Sequence, residues 1–392
     1  MPSDEFESTT ENELLRDEIR ARIEREGRIT FRDFMALALY HPQHGYYNSP
    51  RDKLGRSGDY LTSPEVHPLF GAMVALQLSE MWTLMGRPPR FQALEIGAGS
   101  GVLCRDILIA ASRQSPEFVD ALDYRLSDIS SDLAARQKRA LAELGDLANK
   151  VAWNEPDDLT ADSIEGCILS NELVDSFPVH RVVVQDGRLR EIYVVWRDGG
   201  FAEEVDEPST PELIDYFDAL GVHPGEGCRA EVNLEAPRWL RRVARALRKG
   251  FVLTFDYGYQ ASDLYASWRR DGTLLCFYRH AAGDDPYRRL GRQDMTAHVD
   301  FTTLMRVGST EGLNILGLTT QERFLAALGI GEALVGSASR GGVDLEEHYA
   351  RRRAVSELMD PAGLGRVKVL IHAKGVEPCA LTGLSDAPPF NA

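Results

Sequence analysis

The densest chemical pattern in the chain is Glu95-Ile96-Gly97-Ala98-Gly99-Ser100-Gly101. The apolar run Phe91 to Ile96 before it reads as a strand, and Val102 to Ala111 after it as a helix. The glycines therefore fall in a strand-to-helix turn. Glycine at alternate positions lets the backbone bend tightly and approach a ligand closely, because no Cβ intervenes. The start of the helix adds unpaired N–H groups. The spacing E-x-G-x-G-x-G is not the G-x-G-x-x-G of dinucleotide enzymes, and the Glu95 carboxylate would repel a pyrophosphate. It suits a ligand with a cationic end and an amine, as in S-adenosylmethionine. A nicotinamide dehydrogenase is accordingly disfavoured. The plainer alternative is an ordinary turn whose glycines serve packing.

A second strand, Asp123 to Ser127, ends at Asp128. An acid at that place in such a fold accepts hydrogen bonds from both ribose hydroxyls. Asp128 has a competing use as the N-cap of the helix Ser131 to Leu141, but Ser130 can fill that place. A third strand, Lys150 to Trp153, leads into an acidic loop in which Asp157 is a candidate for the adenine amine. Acidic loops are also commonly just solvated.

Positioning these groups takes a repeated alternation of strands and helices. A fourth strand, Gly166 to Ser170, runs into Asn171-Glu172-Leu173-Val174-Asp175. Arg181 to Gln185 and Leu189 to Trp196 are strand-like, with a hairpin signal at Asp186-Gly187. Pro211 to Leu220 reads as a helix and Arg229 to Leu234 as a strand. Ala236 to Arg248 is a strongly amphipathic helix that Gly250 is expected to stop, and Phe251 to Phe255 is a buried strand ending at Asp256. Residues 260 to about 312 read as irregular, with a strand-like Thr273 to Tyr278. The last strands are Leu313 to Leu318 and Val367 to His372, with helices Thr320 to Leu328 and Leu345 to Leu358 between them. Such alternation predicts a mostly parallel α/β sheet. Upstream, Leu14 to Glu26 and Phe31 to Leu39 are helical, the latter capped by Thr30. A long helix over about Pro68 to Met85 precedes the glycine turn. Residues 1 to about 10 are polar enough to be disordered.

Composition narrows the field. A length of 392 residues fits one large domain with insertions, or two domains. The formal charge of -16 disfavours nonspecific nucleic-acid binding and suits a cationic substrate. Acidity also serves plain solubility. The five cysteines are scattered without a C-x-x-C pair, as expected of reduced thiols. No metal site is expected: His41 and His44 sit in a Pro/Gly-rich loop where a turn or packing role is favoured. No apolar run reaches membrane-span length. The acidic N-terminus resembles neither a signal peptide nor a transit sequence, so a cytoplasmic location is expected.

Taken together, Gly58-Asp59-Tyr60-Leu61-Thr62-Ser63-Pro64-Glu65, the Glu95 glycine turn, Asn171-Glu172 with Asp175 and Pro178, Asp256-Tyr257-Gly258, Gly272-Thr273-Leu274 and Asp294-Met295-Thr296-Ala297-His298-Val299 resemble the MidA family of class I methyltransferases. The resemblance runs from about residue 12 to about residue 375. Mitochondrial members of that family are arginine methyltransferases that assist respiratory complex I assembly; the acidic N-terminus here is more like that of a bacterial member. Two departures stand out. The second-strand acid, commonly Glu in the family, is Asp128, and Leu173-Val174 replaces a phenylalanine often found between Glu172 and Asp175.

The resemblance implies a Rossmann-like fold with a seven-stranded, mostly parallel sheet. An N-terminal helical cap would span residues 1–85. The core, 86–392, would be interrupted by substrate-side insertions at about 181–230 and 260–312. It implies S-adenosyl-L-methionine as cofactor, held by Gly58, Thr62, Ser63, Pro64, Glu95, Gly97, Ala98, Gly99, Gly101, Asp128, Asp157, Asn171 and Glu172. Ser63-Pro64 equally fits a helix N-cap followed by Pro at the first helical position. Ligands of open α/β sheets bind at the carboxyl ends of the strands. There, Asn171 and Glu172 are expected to border the methyl group, Asp175 and Asp256 to orient the acceptor, and His298 to accept a proton or position a neighbour. Each has a structural alternative: Asp175 as a helix cap, Asp256 as an acceptor for backbone N–H groups in its turn, His298 as a hydrogen-bonded structural residue. The expected partner is an arginine-bearing protein, and a homodimer is allowed. Methylation of a small molecule or a peptide natural product, and a cofactor-binding assembly factor acting through a partner, are the competing readings.

Overall fold

The computed structural model describes residues 12–49, 59, 61–155, 159–332 and 345–385. Gly58 and Asp157 lie outside the described residues. Chain order starts with α1 (Glu13–Glu26), β1 (Ile29–Thr30), α2 (Phe31–Tyr40), α3 (Ser63–Val66) and α4 (Leu69–Leu84). Next come β2 (Phe91–Ile96), α5 (Val102–Gln114), α6 (Pro116–Ala121), β3 (Leu122–Ser127), α7 (Ser131–Leu141), β4 (Val151–Asn154) and β5 (Ile164–Asn171). The middle of the chain holds β6 (His180–Gln185), β7 (Arg188–Arg197), β8 (Gly200–Asp206), α8 (Glu212–Leu220), β9 (Arg229–Val232), α9 (Glu235–Ala246) and β10 (Leu247–Asp256). Short elements follow: β11 (Gly258–Tyr259), α10 (Ala261–Leu264), β12 (Leu275–Tyr278), β13 (Ala281–Gly283), β14 (Asp294–Thr296) and β15 (Val299–Asp300). The chain closes with α11 (Phe301–Thr310), β16 (Asn314–Thr320), α12 (Gln321–Ala327), α13 (Leu345–Leu358) and β17 (Lys368–Lys374).

A seven-stranded sheet of order β16-β17-β10-β5-β2-β3-β4 forms the centre. β10, β5, β2, β3 and β4 pair in parallel, and β17 runs antiparallel to both of its neighbours. This is the expected Rossmann-like methyltransferase fold. Parallel strands must be covered on both faces, and the sequences comply. Phe91, Leu169, Leu253 and Ile371 meet α4, α5, α12 and α13 on one face. Leu94, Ile168, Val252 and Leu370 meet α9 and α11 on the other.

Two expectations fail. Gly250 does not stop a helix: α9 ends at Ala246, and the chain passes directly into β10, with Gly250 inside the strand. Its φ is 133°, and a Cβ there would lie 1.9 Å from the Gly166 carbonyl oxygen. The glycine permits close strand contact; it does not punctuate. The supposedly irregular stretch ending near residue 312 also contains a regular helix, α11, which packs Phe301 and Leu304 under the sheet. A further strand, β8, pairs with β7 through the Asp198-Gly199 turn, where both residues have positive φ.

A second sheet, β1-β7-β6-β9 with β8 beside β7, stands next to the first. The N-terminal helices pack on it through Leu15, Ile19, Phe31 and Phe34, joined by Val194 and Met295. The Asp186-Gly187 hairpin is as read, with φ values of 52° and 68°. His41 and His44 serve their turn: His41 Nδ1 accepts the His44 N–H at 3.1 Å. Among the described residues no helix is long and apolar enough to cross a membrane.

Candidate active site

The glycine turn leaves β2 at the carboxyl edge of the sheet. Gly97, Gly99 and Gly101 have φ values of 73°, 52° and 81°, a left-handed conformation that branched residues resist. The turn forms one wall of a cavity of about 250 Å³. Glu95, Ala98, Asp128 and Asn171 line it at the sheet edge, and Thr62 and Pro64 line it from the N-terminal segment. Glu95 is 3 % exposed and accepts a hydrogen bond from the Tyr124 hydroxyl at 2.7 Å. Burial pushes its carboxyl up to about 8. Asp128 accepts N–H groups from Gly99 and Ser130, each at 3.1 Å, while Ser130 caps α7. Its carboxylate thus ties the end of β3 to the turn beside the cavity.

Ser63 departs from expectation. Thr62 occupies the N-cap position of α3 without a side-chain capping bond, and Pro64 follows at the second helical position. The Ser63 hydroxyl donates to Gln321 Oε1 at 2.8 Å, away from the cavity. Its backbone N–H donates to Glu172 Oε1 at 3.2 Å.

Glu172 is the hinge of the site, with a φ of 50°, unusual for a residue with a side chain. It lines the glycine-turn cavity and also a second cavity of about 250 Å³ on its far side. Asp59, Asp175, Asp294 and His298 line this second cavity, together with the Arg366 cation. Asn171 Nδ2 donates to Glu172 Oε1 at 3.1 Å, and burial pushes the Glu172 carboxyl up to about 8. Asp175 is buried; desolvation and the neighbouring Asp256, Glu172 and Asp294 carboxylates hold it well above the usual carboxylate range. Tyr47 donates to Asp294 Oδ1 at 2.8 Å, and Tyr46 to Asp59 Oδ2 at 3.0 Å.

Asp256 corrects the expected set. It is fully buried and lines neither cavity. Its Oδ2 accepts the N–H groups of Leu173, Val174 and Asp175, and its Oδ1 accepts that of Tyr257. Burial raises it to about 7 against the pull of those four donors. The side chain holds the loop that carries Glu172 and Asp175, and it does not face an acceptor. His298 is held between two aromatic rings, Tyr257 and Tyr259, at centroid distances of 6.4 and 5.3 Å. Burial and the nearby Arg366 and Arg269 lower its value to about 4, so it is neutral at ordinary pH. Its Nδ1 and the Asn171 Oδ1 are buried and make no hydrogen bond. Buried polar atoms of this kind await a partner.

Tyr47, Asp59, Asp294 and Arg366 line these cavities although the sequence assigned them no chemistry. Asp59 and Asp294 fall inside quoted motifs, but nothing in their spacing shows that they meet.

The chain matches known proteins along most of its length. The profile of an S-adenosyl-L-methionine-dependent methyltransferase family matches residues 73–319. A crystal structure of a COG1565 superfamily member from Burkholderia thailandensis bound to S-adenosyl-homocysteine is 31% identical. The match covers 99% of this chain and 98% of that one, with a TM-score of 0.88. The mitochondrial protein arginine methyltransferase NDUFAF7 homolog of Drosophila melanogaster is 29% identical over 92% of this chain and 85% of its own length. The human mitochondrial protein arginine methyltransferase NDUFAF7 is 26% identical over 79% and 72%. S-adenosyl-homocysteine is the cofactor after loss of its methyl group. The cradle fits the cofactor: a left-handed glycine turn, a buried acid at Glu95 and an unpaired amide oxygen at Asn171 share one cavity. The chain belongs to this family of S-adenosyl-L-methionine-dependent methyltransferases.

Proposed function

We propose that the enzyme methylates the guanidinium of an arginine in a protein substrate. The observation that carries the reading is the acidic cavity of Asp59, Glu172, Asp175 and Asp294, which adjoins the glycine-turn cavity through Glu172. Arginine is the side chain that most needs such a place. Its guanidinium stays protonated and is a weak nucleophile, while paired carboxylates grip it in a fixed plane.

The cofactor, when bound, supplies an electrophilic methyl on a sulfonium. Glu95, Gly97, Ala98, Gly99, Asp128 and Asn171 hold it in this reading, with Thr62 and Pro64 closing over it; Gly101, expected beside them, packs against Gln137 of α7 off the cavity lining. Gly58 and Asp157 stay candidates from the sequence alone. Of the expected cap (1–85), Tyr40, Tyr47 and the segment from Thr62 reach the cavities while α4 covers the sheet; of the expected insertions, 260–312 lines the acidic cavity through Leu275, Asp294 and His298, and 181–230 supplies none of the lining residues.

Glu172 and Asp175 take up the guanidinium. A cation arriving between them favours their charged forms. The reaction must also discard one proton. Neutral His298, with a free Nδ1 in the same cavity, accepts it directly or through water. The buried surroundings strengthen each of these electrostatic contacts.

The test is labelled methyl transfer from S-adenosyl-L-methionine to matched peptides carrying arginine or lysine. Label on the arginine peptide alone supports the reading. Transfer to lysine at an equal rate, or to neither peptide but to a small molecule, would overturn it.

A further inference from the structure

A third cavity, of about 270 Å³, opens at the same edge of the sheet and is unlike the other two in charge. Lys368, Arg323, Tyr259 and Gln260 line it, with Asp263 as its one carboxylate. Lys368 is the first residue of β17 and pairs with Asp256 on one side and Thr320 on the other. Because β17 is antiparallel to β10, its start lies at the carboxyl edge of the parallel strands, beside the acidic cavity. Among the described residues the Lys368 ammonium and the Arg323 guanidinium make neither a hydrogen bond nor an ion pair. Lys368 is half-buried; burial and the repulsion of Arg323 hold it below the usual lysine range, against the opposing pull of Tyr259 and Asp263. Arg323 is exposed and Lys368 half-buried, so an anion bound here would meet two cations, with Asp263 as the opposing charge.

Two neighbouring rings link this cavity to the acidic one. Tyr259 lines the cationic cavity, His298 lines the acidic one, and their ring centroids are 5.3 Å apart. In an extended peptide, side chains on one face recur every two residues, about 7 Å apart. We propose that this cavity is a subsite for a carboxylate side chain of the protein substrate, seated about two residues from the arginine that enters the acidic cavity. The inference rests on the arginine reading and deepens it. The acidic cavity takes the arginine, and the cationic cavity selects which arginine. In a chain of net charge -16, a local pair of cations is also a means of drawing an acidic segment to an otherwise repelling surface.

The test uses the full chain with blocked peptides that carry one arginine and either aspartate or alanine two residues to each side in turn. The wild type is expected to show a KM about tenfold lower for one of the aspartate peptides than for its alanine twin, at similar kcat. K368M keeps the aliphatic stem, and R323A removes the second cation. Each is expected to erase most of that preference while leaving the alanine peptide's kinetics unchanged. An undiminished preference in both variants, or no preference in the wild type, would overturn the proposal. Calorimetric titration with the same peptides and with inorganic phosphate separates the two sources of anion. Lys368-dependent peptide binding supports the subsite, whereas tight phosphate binding without a flank preference makes it a free-phosphate site and overturns it. If the aspartate peptide binds through Lys368 but its arginine is never methylated, the arginine reading falls and the carboxylate site stands.

Discussion

Glu172 has to be tolerable when the site is empty and charged when it is full. Its ordinary value is 4.5, and burial lifts it to about 8. The folded chain therefore holds a proton that the unfolded chain has lost between those pH values, and stability falls as pH rises from about 4.5 to about 8. Glu172→Gln removes that penalty. The variant is expected to gain up to about 5 kcal/mol over the wild type at about pH 8.5 and little at about pH 4, read by thermal unfolding. A gap that does not widen with pH would contradict the assignment. The same substitution should lower methyl transfer by about 100-fold or more, because it removes a charge that grips the acceptor. At the glycine turn, Gly99 has a φ of 52°. Gly99→Val should fold yet lose at least about tenfold in cofactor affinity by calorimetry, since a branched side chain resists that conformation and crowds the cavity. Unchanged affinity would remove the turn from the site.

Among the elements, the loop after β5 depends on Asp256, which spans to it from β10. Asp256→Ala leaves four backbone N–H groups without their acceptor. A loss of about 2–3 kcal/mol in urea unfolding is expected, with transfer falling as the Glu172 loop loosens. Asp256→Asn, which keeps one acceptor oxygen, should recover part of both. An Asp256→Ala protein of normal stability would refute the loop-holding role. Gly250→Ala should likewise destabilise β10, because its Cβ would meet the Gly166 carbonyl. These two residues also mark the limit of what the sequence makes legible. β2, α5 and α7 stand out because a local signal marks each: an apolar run ending in a glycine turn, and a capping Ser130. Gly250 reads as a helix stop until its neighbour across the sheet is known. Asp256 reads as a site acid for the same reason: a buried carboxylate that binds backbone and one that faces a ligand have the same letter. Asp59 and Asp294 meet only through tertiary packing, which no spacing reveals.

At the scale of the molecule, the carboxyl edge of the seven-stranded sheet, the N-terminal segment and strands β12 and β14 line paired cavities that divide the labour. The glycine-turn cavity combines a buried acid with backbone turned toward a ligand, and its neighbour concentrates carboxylates in a chain already at -16. Calorimetry should therefore show tight binding of S-adenosyl-L-methionine and none of NAD. Saturation at about 100 times the dissociation constant should raise stability by about 2.7 kcal/mol. Binding of NAD in its place would contradict the glycine-turn assignment. The most direct test of the central claim is fragmentation mass spectrometry of an arginine peptide after reaction with S-adenosyl-L-methionine, run with the wild type and with Glu172→Gln. Wild-type product carrying the methyl on a guanidinium nitrogen is expected, with almost none from a variant that still binds the cofactor. A methyl group on any other atom, or equal product from the variant, would contradict it.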